Sequence, residues 1–368
     1  MQKFKKFFKL IYKSFLQAIF KYFYGPVEIA STDEINKFLR IKKVDVEKNT
    51  YKCFISKKTR LYSTSVHDQA IIIDNKLISG PSFQLRVKEN DKLFARNNSS
   101  IDKNIVLKIG TPRIMKRIKG RVFSLLSGGA AKTNYFHWLF EVLPRLEILN
   151  KVYNINDINF FLVPSIRMRH HLETLEILNL SPKKLLDSNT YKHIFCDELF
   201  VVDHPFRVTN DTVYDTQNIP KWIFDWLRGK YLKHKSSNSF PDKIFIERSD
   251  SISTSRDIKN KDEVYKVLKE NNFFFIQPEK FSFRDQIKIY SSAKKIIGLH
   301  GAGFANICFC NPKTEIIEFK TQSTGMNSGN IALKTNLEYK AIICEAIDKF
   351  GGQQGKLIVP IEELKKKI

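Results

Sequence analysis

The chain has 368 residues, and 62 Lys and Arg against 38 Asp and Glu leave a net charge of +24. Hydrophobic residues at 42% and aromatics at 12% supply enough apolar material for a core, which excludes disorder over most of the length and fits two domains better than one. Only 15 of the basic residues are Arg, so the charge is largely a Lys bias and a weak sign of nucleic-acid binding, where Arg carries most base contacts.

The first expected element, over residues 1–25, is a basic amphipathic helix. Six lysines (Lys3, Lys5, Lys6, Lys9, Lys13 and Lys21) interleave with nine aromatics, and no acidic residue offsets them. Phe4, Phe8, Ile11, Phe15 and Ala18 recur at helical spacing, Lys6, Lys9 and Lys13 share another face, and Gly25-Pro26 stops the helix. Lysines interrupt every window of about 20 residues that a membrane span needs. An uncharged core of about 7–15 residues with a small-residue cleavage site, the mark of a signal peptide, is not clear either. The pattern fits a helix lying on an anionic membrane surface through residues 1–24. A helix packed on its own domain is the alternative.

From 26 to 232 the pattern is mixed. Apolar runs at 70–73 and 160–163 read as buried strands, with helices expected over 135–151, 168–178 and 220–232, the last opened by Pro220. The polar stretch 233–241, KHKSSNSFP, is the expected domain boundary. Over 241–350 the alternation becomes regular. Strands are expected at 243–247, 273–276, 295–299, 315–319 and 339–344, with helices at 261–271, 282–292, from 304 onward, and at 328–335. Such alternation indicates a doubly wound parallel sheet, whose ligands bind at the carboxyl ends of its strands. Residues 351–368 read as a C-terminal tail with a helix. Cys53, Cys196, Cys308, Cys310 and Cys344 are odd in number and scattered, which argues for buried thiols in a reducing compartment rather than a disulfide framework or zinc site.

Two segments carry candidate chemistry. Residues 298–306, GLHGAGFAN, follow an expected strand and precede an expected helix. Small residues there let backbone N–H groups approach an anion, the helix N-terminus adds a favourable dipole, and His300 would face the ligand crevice. A tight strand–helix turn is the plainer reading of the same glycines. Residues 134–145, NYFHWLFEVLPR, place His137 and Glu141 four apart, on one face of a helix. An imidazole beside a carboxylate suits general-base work, and it equally suits a structural pair. Apolar neighbours imply burial, where an idle charge is costly.

With Ile246-Glu247-Arg248-Ser249, Pro278-Glu279 and Ile317-Glu318 at matching order and spacing, the chain resembles glycosyltransferase family 61 from about residue 134 to 319. Glu141 stands where many relatives have Asp, and the first 120 residues carry no match. The resemblance implies an α/β fold of GT-B type, two facing Rossmann-like domains: an acceptor-side domain (26–232) and a nucleotide-sugar-binding domain (241–350). It implies inverting transfer from a nucleotide sugar, by default a uridine diphosphate sugar, to a glycan or lipid-linked glycan, with no metal and no other cofactor. The chain has no Asp-x-Asp segment of the metal-holding type.

Without a metal, the leaving diphosphate must be stabilised by protein donors. The candidates for donor binding are Arg248, Arg256 and His300, with Gly301, Ala302, Gly303 and Asn306 at the following helix. Arg256 beside Asp257 reads equally as a surface ion pair. Glu318 is expected to accept hydrogen bonds from ribose hydroxyls, and Glu279 to border the base pocket. Glu141 is expected as the catalytic base, with His137 orienting it or contacting the donor. The expected enzyme builds capsule or lipopolysaccharide, peripherally at the cytoplasmic face of the inner membrane. A catalytically silent nucleotide-sugar-binding scaffold is one alternative. A basic nucleic-acid-binding protein is the other, and it would need clustered Arg and exposed aromatic platforms that the sequence lacks beyond its first helix.

Overall fold

A computed structural model describes residues 2–89, 92–95, 101–126, 128, 132–209, 211–248, 256–347 and 355–368, without the side chains of 2–7, 9, 10, 86–89, 92–95, 212 and 256. The chain forms two compact units, Met1–Met168 with Leu180–Asn210, and Arg169–Asn179 with Asp211–Ile368. The division falls at Asp211 rather than in the polar stretch 233–241, because the helix Lys221–Tyr231 packs with the second unit. Tyr231 is fully buried there, its ring centroid 5.1 Å from Phe283, and its hydroxyl donates to the Thr174 carbonyl at 3.2 Å.

The first unit is built on a mixed sheet rather than a wholly parallel one. Lys116–Ser124, Phe160–Val163, Leu185–Asp187 and His193–Val202 pair in parallel, as expected of a Rossmann-like half. On the other side of His193–Val202 the sheet turns antiparallel through Asn49–Tyr62, which pairs with both Leu39–Val46 and Asp68–Ile73. These antiparallel strands lie in the portion of sequence where no alternating strand–helix pattern was legible. The core beneath them joins Leu61, Ile71, Val122, Leu162, Ile194 and Leu199, apolar residues from both halves of the sheet.

The second unit has the expected doubly wound sheet. Its five strands lie in the order Phe274–Ile276, Lys243–Ile246, Lys295–Leu299, Glu315–Lys320, Glu338–Ile343, all parallel. Numbered along the chain this is 2-1-3-4-5, so the order reverses between Lys243–Ile246 and Lys295–Leu299. At such a reversal the loops leaving two neighbouring strands diverge, and a ligand crevice opens at their carboxyl ends. Phe245, Ile297, Ile317 and Ile342 alternate with residues of the opposite face and pack on Val264, Val267 and Leu268 of the helix Lys261–Glu270.

The C-terminal residues are not a separate tail. Gly355–Ile358 pairs in parallel with Arg256–Ile258, and Leu357, Val359 and Leu364 are buried in the same core. All five cysteines are buried and free.

Candidate functional site

The helical segment carrying His137 and Glu141 is irregular for a reason written in the sequence. Asn134 caps it, its side-chain oxygen accepting the Phe136 N–H at 3.0 Å. After Tyr135–His137 the backbone widens into a π-helical turn, Trp138–Val142, in which the Leu143 N–H reaches the Trp138 carbonyl at 3.2 Å. Pro144, which lacks an N–H and crowds the carbonyl four residues back, then opens Pro144–Asn150. Single π turns of this kind are frequent at functional sites.

Glu141 has no exposed surface, yet it sits among charged partners. His137 Nδ1 lies 2.6 Å from Oε1, Arg207 Nη2 donates to the same oxygen at 2.8 Å, and His204 Nε2 approaches Oε2 at 3.5 Å. Burial opposes ionisation of Glu141, but His137 and Arg207 outweigh it and hold the carboxyl well below its usual range. Glu141 is therefore a carboxylate, and His137 Nδ1 carries the proton between them. His204 is held in the complementary tautomer. Its Nδ1 accepts the backbone N–H groups of Phe206 (3.3 Å) and Arg207 (2.9 Å), which leaves the proton on Nε2, toward Glu141. Burial pushes the His204 pKa down to about 4, so it is neutral at pH 7.

Arg145 lies beneath this cluster. It is buried, with Nη1 donating to the Leu126 carbonyl and Nη2 to the Val202 carbonyl at 2.6 Å. It thus ties together the carboxyl ends of two parallel strands, from the second of which the 203–207 loop departs. Neither Arg207 nor His204 was found from the sequence. They stand 66 and 63 residues from Glu141, and the available signal was their place just after an apolar strand.

In the second unit Arg248 and His300 leave the two strands between which the order reverses. Arg248 Nη1 lies 3.5 Å from the His300 carbonyl. Burial lowers the Arg248 pKa while Glu279 and Asp257 pull it back up. The strand end is fixed by Glu247, whose carboxylate accepts from the Tyr265 hydroxyl at 2.6 Å and Gln277 Nε2 at 2.7 Å. Gly301 leaves room for the guanidinium, since a Cβ there would lie 3.0 Å from Arg248 Nη1. Gly303 packs on Ile246 and Pro278, and its carbonyl accepts the Tyr290 hydroxyl at 2.9 Å. Ala302 opens the short helix Ala302–Phe309, and Glu279 is exposed in the turn Pro278–Lys280. The side chain of Arg256 lies outside the described residues.

Two residues expected at the donor, Glu318 and Asn306, are buried. Glu318 is fully buried, and its oxygens accept from His300 Nδ1 at 2.7 Å, Ser328 Oγ at 2.6 Å and the Tyr339 hydroxyl at 2.5 Å. Burial works against its charge, but these hydrogen bonds, His300 foremost, keep its pKa lowered. It orients His300 and has no surface to offer a ribose. Asn306 is likewise buried, donating from Nδ2 to Gln286 Oε1 at 2.8 Å, and anchors its helix to Phe283–Ser292.

Each unit therefore holds a histidine whose Nδ1 is fixed by a buried glutamate, His137 with 23% of its side chain exposed and His300 itself buried, with 11%. Residues 135–317 match the Glycosyltransferase 61 family model. The match supports a glycosyltransferase, with a nucleotide-sugar donor and a glycan acceptor in general. The Glycosyltransferase 61 segment begins two residues before His137, takes in Arg207, Arg248 and His300, and ends one residue before Glu318. It covers just under half of the chain. No curated protein matches the chain.

Proposed function

We propose that the protein is an inverting, Leloir-type glycosyltransferase that moves a sugar from a nucleotide donor, a uridine diphosphate sugar, onto a growing surface glycan of the capsule or lipopolysaccharide kind. The observation that carries this reading is the coincidence of the strand-order reversal with Arg248 and His300 inside the Glycosyltransferase 61 segment. In the second unit these two side chains, with the backbone at Gly301–Gly303, neutralise the diphosphate as the glycosidic bond breaks. No metal or other cofactor takes part in this reading. Glu318 holds the His300 ring so that Nε2 is the nitrogen turned to a ligand.

In the first unit His137, rather than Glu141, takes the proton of the acceptor hydroxyl as that oxygen attacks the anomeric carbon. A base must be reachable by its substrate. The His137 side chain is 23% exposed while that of Glu141 is 0% exposed, with both oxygens turned to protein cations and imidazoles. Glu141 and Arg207 set the ring's tautomer and orientation. The enzyme works at the cytoplasmic face of the inner membrane on a lipid-linked acceptor.

A panel of nucleotides and nucleotide sugars in a thermal-shift assay tests donor binding, because a ligand stabilises the fold in proportion to its binding. Uridine diphosphate and one of its sugars should raise Tm. Nuclear magnetic resonance of the product should then show an inverted anomeric centre. Absence of any nucleotide-dependent shift, or a retained anomer, would overturn the reading.

A further inference from the structure

The C-terminal end of the helix Gln2–Tyr24 is fastened to the first unit. The Tyr24 hydroxyl accepts the Met115 N–H at 3.1 Å, and its ring meets His193 edge-on at 5.1 Å. Arg60 Nη1 donates to the Tyr24 carbonyl at 3.4 Å. Gly25 then closes the helix at φ 77°, its N–H bonded to the Lys21 carbonyl at 2.9 Å. A Cβ at Gly25 would clash with Asn75 Nδ2, so the exit is closely fitted as well as left-handed.

Beyond this clasp the helix exposes large apolar side chains: Phe8, Ile11, Tyr12, Phe15, Tyr22 and Phe23 are between 50% and 86% exposed. At about 100° per residue these six fall within a single arc of about 120°. Of the partly buried residues, Leu16, Gln17, Phe20 and Tyr24 lie on a different arc and only Ile19 lies within the apolar one, so the packing is mainly on another face than the stripe. An ordinary surface helix shows the reverse arrangement, apolar side inward. In the same register five of the six lysines fall outside the apolar arc and Lys5 stands at its edge. No acidic residue occurs in the helix.

We infer that this stripe docks on an anionic lipid bilayer, the helix lying in the interface plane with its aromatics inserted and its lysines at the headgroups. Charge complementarity selects this occupant. A second copy would bring six lysines against six with no acid between them, which disfavours self-association. A spanning role is excluded for the described residues, since no helix is long and apolar enough to cross a membrane. The aromatic and basic division is the one by which interfacial helices bind. The clasp at Tyr24 and Gly25 makes the docking directional, because it ties the end of the helix to the first unit's sheet at Arg60 and His193. This inference stands independently of the transfer reaction.

Co-sedimentation of the full-length protein with vesicles tests it. Vesicles of phosphatidylglycerol and phosphatidylcholine should carry down most of the protein, and phosphatidylcholine alone little. Phe8→Ser combined with Phe15→Ser and Phe23→Ser should lower partitioning at least about tenfold, and Lys13→Glu with Lys21→Glu should do so with a weaker salt dependence. All these side chains are exposed, so Tm and the nucleotide-dependent thermal shift should stay unchanged. Failure of the wild type to bind anionic vesicles, or full binding by the triple Phe variant, overturns the inference. So does a dimer in size-exclusion chromatography that the triple variant abolishes.

Discussion

His137 and Glu141 are joined at 2.6 Å across a π-helical turn, and the carboxylate in that pair is the buried member. Glu141→Gln keeps the volume but removes the charge that fixes the His137 proton on Nδ1. Transfer should fall by about 10²–10⁴-fold in kcat, the range for loss of general-base function, while nucleotide-sugar binding survives. The variant also leaves Arg207 without its anion, at a cost of about 3–5 kcal/mol in stability, so rates are to be compared well below its Tm. Full activity would sink both residues' roles.

Which of the two takes the proton is decided by chemical rescue. His137→Gly opens a space next to solvent-accessible surface, and added imidazole should restore a measurable part of its activity. Glu141→Ala opens a space with no access, where formate or acetate should restore none. The opposite pattern would return the base to Glu141.

The pairing of His137 with Glu141 was legible from their spacing, as was the parallel sheet of the second unit from its strand–helix alternation. What could not be read was how distant segments supply the remaining partners. Arg207 and His204 reach Glu141 from the end of His193–Val202, a strand placed by pairing with Lys116–Ser124 and Asn49–Tyr62. Such pairing is set by long-range packing, and a sequence shows its period but not its neighbours. Glu318 is a related case. Its position at a strand end was legible, but its orientation depends on Ser328 and Tyr339, which come from the next helix and strand. Hence Glu318, expected at the ribose, is buried and hydrogen-bonded to His300.

Tyr339→Phe and Glu318→Gln separate those contributions. Tyr339→Phe removes one of three donors to Glu318 and should cost about 1 kcal/mol of stability with little change in donor affinity. Glu318→Gln removes the charge that orients His300, and should weaken uridine diphosphate binding by a larger free energy than it costs the fold. Calorimetric titration with uridine diphosphate measures the first quantity and thermal melting the second. Equal effects of the two variants on nucleotide affinity would show that His300 is not positioned through Glu318.

Acid should unfold the protein earlier than carboxylates alone predict. Burial pushes His170, His193 and His204 down to about 4 and His171 to about 3. Each is neutral in the fold but binds a proton near pH 6.5 once unfolded. Between pH 6.5 and 4 the unfolded state holds more protons, so stability declines as pH falls and is flat above about 7. Each histidine adds up to about 1.4 kcal/mol per pH unit to that slope. Below pH 4.5 the lowered carboxyls of Glu141 and Glu318 add their own loss. Urea midpoints at pH 7.5, 6.0 and 5.0 measure the decline, and His193→Gln should flatten it. A midpoint unchanged from pH 7.5 to 5.0 would contradict the buried neutral state.

The two glycines flanking His300 should respond differently to the same substitution. A Cβ on Gly298 would meet Ile246 Cβ at 3.0 Å and the Ile246 carbonyl oxygen at 3.3 Å, a strand neighbour that cannot move aside. Gly298→Ala should cost about 1–3 kcal/mol, the usual penalty for overpacking. A Cβ on Gly301 meets only Arg248 Nη1 closely, at 3.0 Å, the tip of a flexible side chain. Gly301 has φ 169°, an extended backbone that alanine adopts freely. Gly301→Ala should therefore leave the stability within about 0.5 kcal/mol of wild type while displacing the guanidinium and weakening uridine diphosphate binding about tenfold, or about 1.4 kcal/mol. Melting curves with and without the nucleotide read both effects in one experiment. If Gly301→Ala bound nucleotide as well as the wild type, Arg248 would not be the diphosphate's partner, and the loss in Gly298→Ala would be structural alone.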